Sequence, residues 1–103
     1  MKAVITETTV VEGKERTWDD AYQARAKAAA NQPGLIGMSL LIPFDDTRKR
    51  VVLGIWESED DWAKWHETSE FQRTREMMNG ATAQDGEPQW HQVATEHFTM
   101  GAD

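Results

Sequence analysis

The chain has 103 residues, enough for one domain spanning residues 1–103, and its eleven basic and eighteen acidic residues give a formal charge of −7. That balance argues against a nucleic-acid partner, which needs Lys and Arg in excess on one face, and gives no sign of a membrane-surface protein. Cysteine is absent, which excludes a disulfide framework, a thiol nucleophile and a thiolate metal site. The start turns polar too early for a signal peptide, and the longest apolar run, residues 35–43, is too short to span a bilayer, so a cytoplasmic protein is expected.

Residues 3–11 are dense in Val, Ile and Thr and read as a strand. Glu12-Gly13 ends it. A helix follows between residues 14 and 31, because Trp18, Ala21, Tyr22, Arg25, Ala28 and Ala29 recur at helical spacing on one face. Arg25 within that apolar stripe reads either as a snorkelling side chain or as a cation reaching into a pocket. Gln32-Pro33-Gly34 stops the helix. Residues 35–43 form a second strand and residues 49–57 a third, separated by a turn at Asp45-Asp46-Thr47 and able to pair as an antiparallel hairpin. Gly54 within the third strand marks a place where another group approaches the backbone closely.

Ser58 is the expected N-cap of a second helix, with Asp61 three residues on as in a capping box and Glu59, Asp60 and Asp61 at the positive end of the helix dipole. Trp62, Trp65, His66 and Ser69 then fall on one helical face. Phe71, Thr74, Arg75 and Met78 continue the spacing after a kink near Thr68 and Ser69, and Asn79-Gly80 is the stop. Residues 81–88 read as a loop and residues 89–100 as a last strand. The order β-α-β-β-α-β predicts an α+β, ferredoxin-like fold with a four-stranded antiparallel sheet and helices on one face. Ile5, Val11, Leu40, Ile42, Val52 and Trp56 exceed what two helices cover, so a homodimer packed sheet face to sheet face is expected.

Five tryptophans point to a wide core, an oligomer interface or a flat aromatic ligand. His66 is the acid–base candidate by residue type, the alternative being a hydrogen-bonded histidine at the core edge. Trp62 and Trp65 read as core or as the walls of an aromatic slot. Arg75 reads as a surface residue near Gln72 and Glu76, or as an anion-binding group. His66, His91 and His97 share no ligand spacing, so no metal site is expected. Serine triads, phosphate-binding loops and dinucleotide fingerprints are absent from the sequence.

Several short segments, in order, resemble the antibiotic biosynthesis monooxygenase (ABM) superfamily. They are Val10-Val11-Glu12-Gly13-Lys14, Pro33-Gly34, Ile55-Trp56-Glu57-Ser58, and His66-x-x-Ser69-x-Phe71. The resemblance covers about residues 3–100 and implies a dimeric α+β barrel with a pocket between helices and sheet. One branch of that superfamily comprises cofactor-independent oxygenases of aromatic polyketides, in which the deprotonated substrate itself reduces dioxygen. Trp56 matches that branch's strand tryptophan, while Val52 stands at its asparagine and Trp62 where a tyrosine is common. A second branch degrades haem. Trp65 matches its helix tryptophan, the axial-histidine position falls near Thr74 and Arg75, and Thr6, Glu7 and Thr8 stand where its strand asparagine would be. A third branch holds small quinol oxygenases and members without known activity, in which His66 followed by Ser69 is common.

The resemblance implies a monooxygenase acting on a phenol, quinol or polyketide-like aromatic, with dioxygen as co-substrate and no cofactor. His66 is then the base or anchor, Trp56, Trp62, Trp65 and Phe71 the slot, and Arg75 or Arg25 the anion stabiliser. The alternatives are a haem-binding or haem-degrading protein, a non-catalytic dimer that binds a small hydrophobic aromatic ligand, and a structural dimer whose tryptophans only pack.

Overall fold

The β-branched run near the start of the chain becomes the centre of the sheet. In the computed structural model, which describes residues 1–97, this strand, β1 (Lys2–Val10), lies between its partners. It is followed by α1 (Glu15–Ala29), β2 (Leu35–Leu41), β3 (Lys49–Trp56), α2 (Glu59–His66), α3 (Ser69–Asn79), β4 (Thr82–Asp85) and β5 (Gln89–Gln92). The sheet order is β2-β3-β1-β4, with β5 also on β1, and every pairing is antiparallel. This is the expected ferredoxin-like arrangement. No helix among the described residues is long and apolar enough to cross a membrane.

The last sheet position differs in detail from expectation. Residues 82–85, expected as loop, are a strand against Thr8–Val10, and β5 pairs with residues 2–5 further along the same edge. The two segments are one edge strand, broken at residues 86–88, where three residues oppose Thr6 and Glu7. A second irregularity leaves Ala83 unmatched between Val10↔Thr82 and Thr9↔Gln84. Each extra residue reverses the inside–outside alternation. Thr82, Asp85 and Trp90 therefore share the helix side of the sheet although each is an odd number of positions from the one before it. β5 ends at Gln92, and residues 98–100 of the expected strand lie outside the described residues.

Register separates the two faces. Val4 opposite Gly54, Thr6 opposite Val52 and Thr8 opposite Arg50 face the helices, with Trp56, Met38 and Leu40. Ala3 opposite Ile55, Ile5 opposite Leu53 and Glu7 opposite Val51 face away. Leu40, Val52 and Trp56, counted above toward the uncovered face, thus belong to the helix side. Two apolar clusters fill that side. Val10, Trp18, Ala21, Tyr22, Met78 and Ala81 form one, and Val4, Ala29, Trp56, Trp65 and Phe71 the other. Each fully buried aromatic contributes roughly 2–3 kcal/mol through area removed from water.

Two glycines are dictated by their surroundings. Gly34, at φ +86°, turns α1 into β2, and a side chain there would run into the Asp61 carboxylate. Gly54 leaves room for the Trp56 indole, whose Nε1 lies 3.1 Å from where a β-carbon would stand.

One buried charge holds α1 to the sheet. Arg50 is 3% exposed, and its guanidinium donates from Nε to Asp19 Oδ1 at 2.7 Å and from Nη2 to Asp19 Oδ2 at 3.0 Å. Its Nη1 donates to the carbonyls of Thr47 and Lys49. Removing one member of such a pair strands the other in a site it cannot rehydrate. Asp19 is partly solvated, so Asp19→Ala is expected to cost about 2–3 kcal/mol in urea unfolding, below the loss for fully buried pairs. The double change Asp19→Leu with Arg50→Met should recover most of that loss.

Candidate aromatic site

The site is assembled where the second helical segment breaks. Ser58 caps α2 as expected: its hydroxyl oxygen accepts from the Asp61 backbone N–H at 3.1 Å, and its O–H donates to the Asp61 carboxylate at 2.9 Å. The expected kink is a full interruption. Thr68 donates its hydroxyl to the Trp65 carbonyl at 2.7 Å and accepts from the Phe71 N–H at 3.2 Å, closing α2 and capping α3. Ser69, expected on the face of Trp62, Trp65 and His66, instead opens α3, is exposed, and bonds Glu70.

The break turns Phe71 back onto α2. Its ring meets Trp65 edge-on at 5.5 Å and His66 at 4.0 Å between centroids. His66 packs in turn on Trp62 at 3.9 Å, and Trp62 meets Trp90 edge-on at 5.3 Å. Arg25 reaches across from α1 and places its guanidinium carbon 4.3 Å from the Phe71 centroid, within cation–π range. Arg75 lies farther out, at 6.0 Å from the same centroid, and is exposed.

All of these side chains except Trp90 line a cavity of about 590 Å³ between sheet and helices, within the range of small-molecule sites. Trp56, Trp62, Trp65, His66, Phe71, Arg25 and Arg75, all expected at a site, all border it. The sheet supplies a floor that includes Thr6, Thr8, Val52 and Gly54, and the break in the edge strand supplies a rim of Asp85, Gly86, Glu87 and Pro88. The rim escaped the sequence reading because the edge strand does not alternate. Asp85 accepts from the Thr8 hydroxyl at 3.2 Å, which anchors the rim to the floor. Of the aromatic wall, Trp56 and Trp65 are 2% and 3% exposed, so they serve core and cavity together.

His66 has a defined proton position. Its Nδ1 lies 2.8 Å from the Trp62 carbonyl oxygen, which can only accept, so the neutral ring carries its proton on Nδ1 and Nε2 keeps a lone pair. Burial pulls its pKa below 6.5. The Trp62 carbonyl opposes that shift, and the positive charges of Arg25 and Arg75 reinforce it. The imidazole is therefore neutral at neutral pH. Arg25 is drawn down to about 10 by burial, with Asp85 opposing and Arg75 adding, and it stays protonated at neutral pH. Its Nε donates to Thr74 Oγ1 at 3.0 Å, and Thr74 passes its own hydrogen to the Phe71 carbonyl at 2.8 Å. Thr74, 1% exposed, is a supporting residue to which the sequence pattern assigned only a helical position.

The haem-type features are sparse. Thr74, near the axial-histidine position, is committed to Arg25 and Phe71, and Thr6 and Thr8 face the cavity where that branch has an asparagine nearby. Among the described residues no cluster of three His, Cys, Asp or Glu could hold a metal ion. His91 and His97 are exposed and lie away from the cavity lining.

A model of the antibiotic biosynthesis monooxygenase family matches residues 1–77. The chain belongs to that family. No curated protein matches it significantly. Among solved structures it is similar to a candidate antibiotic biosynthesis monooxygenase of Nitrosomonas europaea, at 18% identity and TM-score 0.85, covering 92% of this chain and 100% of the other. A second similar structure is a candidate antibiotic biosynthesis monooxygenase of Bordetella bronchiseptica, at 19% identity and TM-score 0.80, with coverage of 91% and 97%. A third is SnoaB, a cofactor-independent oxygenase from Streptomyces nogalater, at 20% identity and TM-score 0.75, with coverage of 97% and 96%. At these identities the likeness shows the ABM fold.

The lowered pKa of His66 sets a sign for pH dependence. The unfolded chain takes up the proton more readily than the native site, so this residue's contribution is complete above about pH 6.5 and is lost as pH falls through that value. Thermal melts from pH about 7.5 to about 5.5 should show a steeper loss of Tm for the wild type than for His66→Gln.

Proposed function

We propose that this ABM-family protein is a cytoplasmic, cofactor-independent monooxygenase acting on an aromatic phenol or quinol. The observation that carries this reading is a neutral histidine, its proton tied to a backbone carbonyl on one nitrogen and its lone pair left on the other, beside an aromatic cavity with a desolvated arginine. The chemistry requires these parts. His66 Nε2 takes the substrate's acidic proton, and the resulting phenolate or carbanion is stabilised by Arg25 and, from the mouth, by Arg75. Trp56, Trp62, Trp65 and Phe71 hold the flat ring and exclude water. The electron-rich ring transfers electrons to dioxygen and forms a carbon–oxygen bond. For a quinol with a free ring position, one oxygen atom remains on that carbon, the quinol becomes a hydroxyquinone, and the other oxygen atom leaves as water. The likeness to SnoaB supports a reaction of this type.

Val52 stands at the hydrogen-bonding asparagine of the polyketide branch, and directly across from it on the cavity floor stands Thr6, which carries a hydroxyl. We also infer a homodimer through the uncovered sheet face, where Ile5, Val51, Leu53 and Ile55 form a continuous apolar strip that suits a second copy of the same strip.

Oxygen uptake with a naphthohydroquinone, corrected for autoxidation, should fall about 100-fold or more in His66→Ala, the usual scale for loss of a general base. Uptake equal to that of the wild type would remove His66 from the chemistry. Haem titration of the apo-protein should give no sharp one-to-one Soret shift; such a shift, decaying with ascorbate under air, would favour the haem-degrading alternative. Saturable aromatic binding without oxygen uptake would favour the non-catalytic one. Sedimentation should show a dimer for the wild type and a monomer for Leu53→Glu, since a buried charge facing its own symmetry mate is strongly unfavourable.

A further inference from the structure

Arg25 has more binding capacity than the fold uses. Its Nε is occupied by Thr74 at 3.0 Å, and its plane rests on Phe71. Among the described residues, none accepts a hydrogen bond from its two terminal nitrogens and none forms an ion pair with it. Arg50 provides the contrast within the same molecule: it is buried where Arg25 is half-buried, and Asp19 and two carbonyls bind it. Scarcity of acids does not explain the difference, because the chain has eighteen acidic residues against eleven basic. Asp85, the rim acid whose charge acts on Arg25, is tied to Thr8 instead.

The remaining donors have a definite shape. With Nε taken, the guanidinium offers its end-on pair of terminal nitrogens, which matches the two oxygens of one carboxylate. Arg25 and His66 both pack on the Phe71 ring, at 4.3 and 4.0 Å from its centroid, and the Arg25 charge acts on His66, so a ligand held on Arg25 is within reach of His66.

We propose that Arg25 is a specificity-determining subsite for a carboxylate, and that the cavity takes an aromatic hydroxy acid whose carboxylate sits on Arg25 and whose hydroxyl faces His66. This deepens the reading of the cavity as an aromatic-substrate site and rests on it. Thr74 is the positioning residue, because it fixes which edge of the guanidinium is presented. Arg75, exposed at the mouth, adds attraction without a fixed geometry.

The test is calorimetric titration with 1-hydroxy-2-naphthoate and with its methyl ester, which keeps the ring and hydroxyl and loses the charge. The wild type should bind the acid about tenfold or more tightly than the ester, a difference typical of one desolvated charge-assisted pair. Arg25→Met, which keeps an apolar stem on Phe71, should abolish the preference without weakening the ester. Arg25→Lys should restore part of it, and Thr74→Val should narrow it. Equal binding of acid and ester by the wild type, failure to bind the acid, or a preference that survives Arg25→Met would each overturn the proposal. The oxygenase reading fails separately: a naphthohydroquinone whose oxygen uptake is unaffected by His66→Ala would refute it while an Arg25-dependent acid preference stood. His66-dependent uptake with no acid preference would do the reverse.

Discussion

The site depends on the interruption between α2 and α3, where one hydroxyl is shared by both helices. Thr68 satisfies the last turn of one helix and the first turn of the next, because its Oγ1 both donates to the Trp65 carbonyl and accepts from the Phe71 N–H. In an unbroken helix, residues six apart lie about 120° apart around the axis, and the Phe71 ring would not return onto Trp65. With the break, the Phe71 ring returns against both Trp65 and His66 and gives Arg25 an aromatic face to lie on. The aromatic wall, the orientation of His66 and the reach of Arg25 all follow from that one turn of the chain.

A second constraint is the edge strand. A regular strand along the whole of β1 would close that edge of the sheet with alternating side chains. The two extra residues bend it, let the Gly86 N–H reach the Glu7 carbonyl at 2.7 Å, and push residues 85–88 over the cavity mouth. Bulges commonly re-aim side chains beside functional sites, and here they bring Asp85 onto the same side as Thr8 and Trp90 onto the same side as Trp62. Gly86 is required at this point, since a β-carbon there would press on the Glu7 carbonyl oxygen.

The two interior arginines show how burial sorts identical side chains. Arg50 lies on β3 facing α1, and four of its donors are met by a carboxylate and two carbonyls, so it acts as a structural tie. Arg25 lies in the apolar stripe of α1, touches a ring and a threonine, and keeps its terminal donors for the cavity. In a chain of net charge −7, the second arrangement concentrates positive charge where a deprotonated substrate would sit. Burial first, and that same positive field second, keep the His66 ring neutral, with Nε2 unprotonated.

Much of the fold was legible in the sequence, because the signals for it are local. Helical spacing from Trp18 to Ala29, the Pro33-Gly34 stop, the hairpin-spaced β2 and β3, and the Ser58 cap each act over a few residues, and each appears in the structure. The aromatic residues of the site were legible too, since Trp62, Trp65 and His66 share one turn of helix. Periodicity could not reveal β4, whose alternation is erased by the bulges, nor the division of apolar residues between sheet faces, which placed Leu40, Val52 and Trp56 on the helix side. It also could not say that Arg50 is tied to Asp19, thirty-one residues away, while Arg25 is left open. The sequence by itself determined the elements, their order and the residues able to do chemistry, because backbone propensity and capping are short-range. Tertiary structure alone decided which nitrogen of His66 carries the proton, which arginine is unpaired and what forms the cavity rim, because those depend on register and on contacts between residues far apart in the chain.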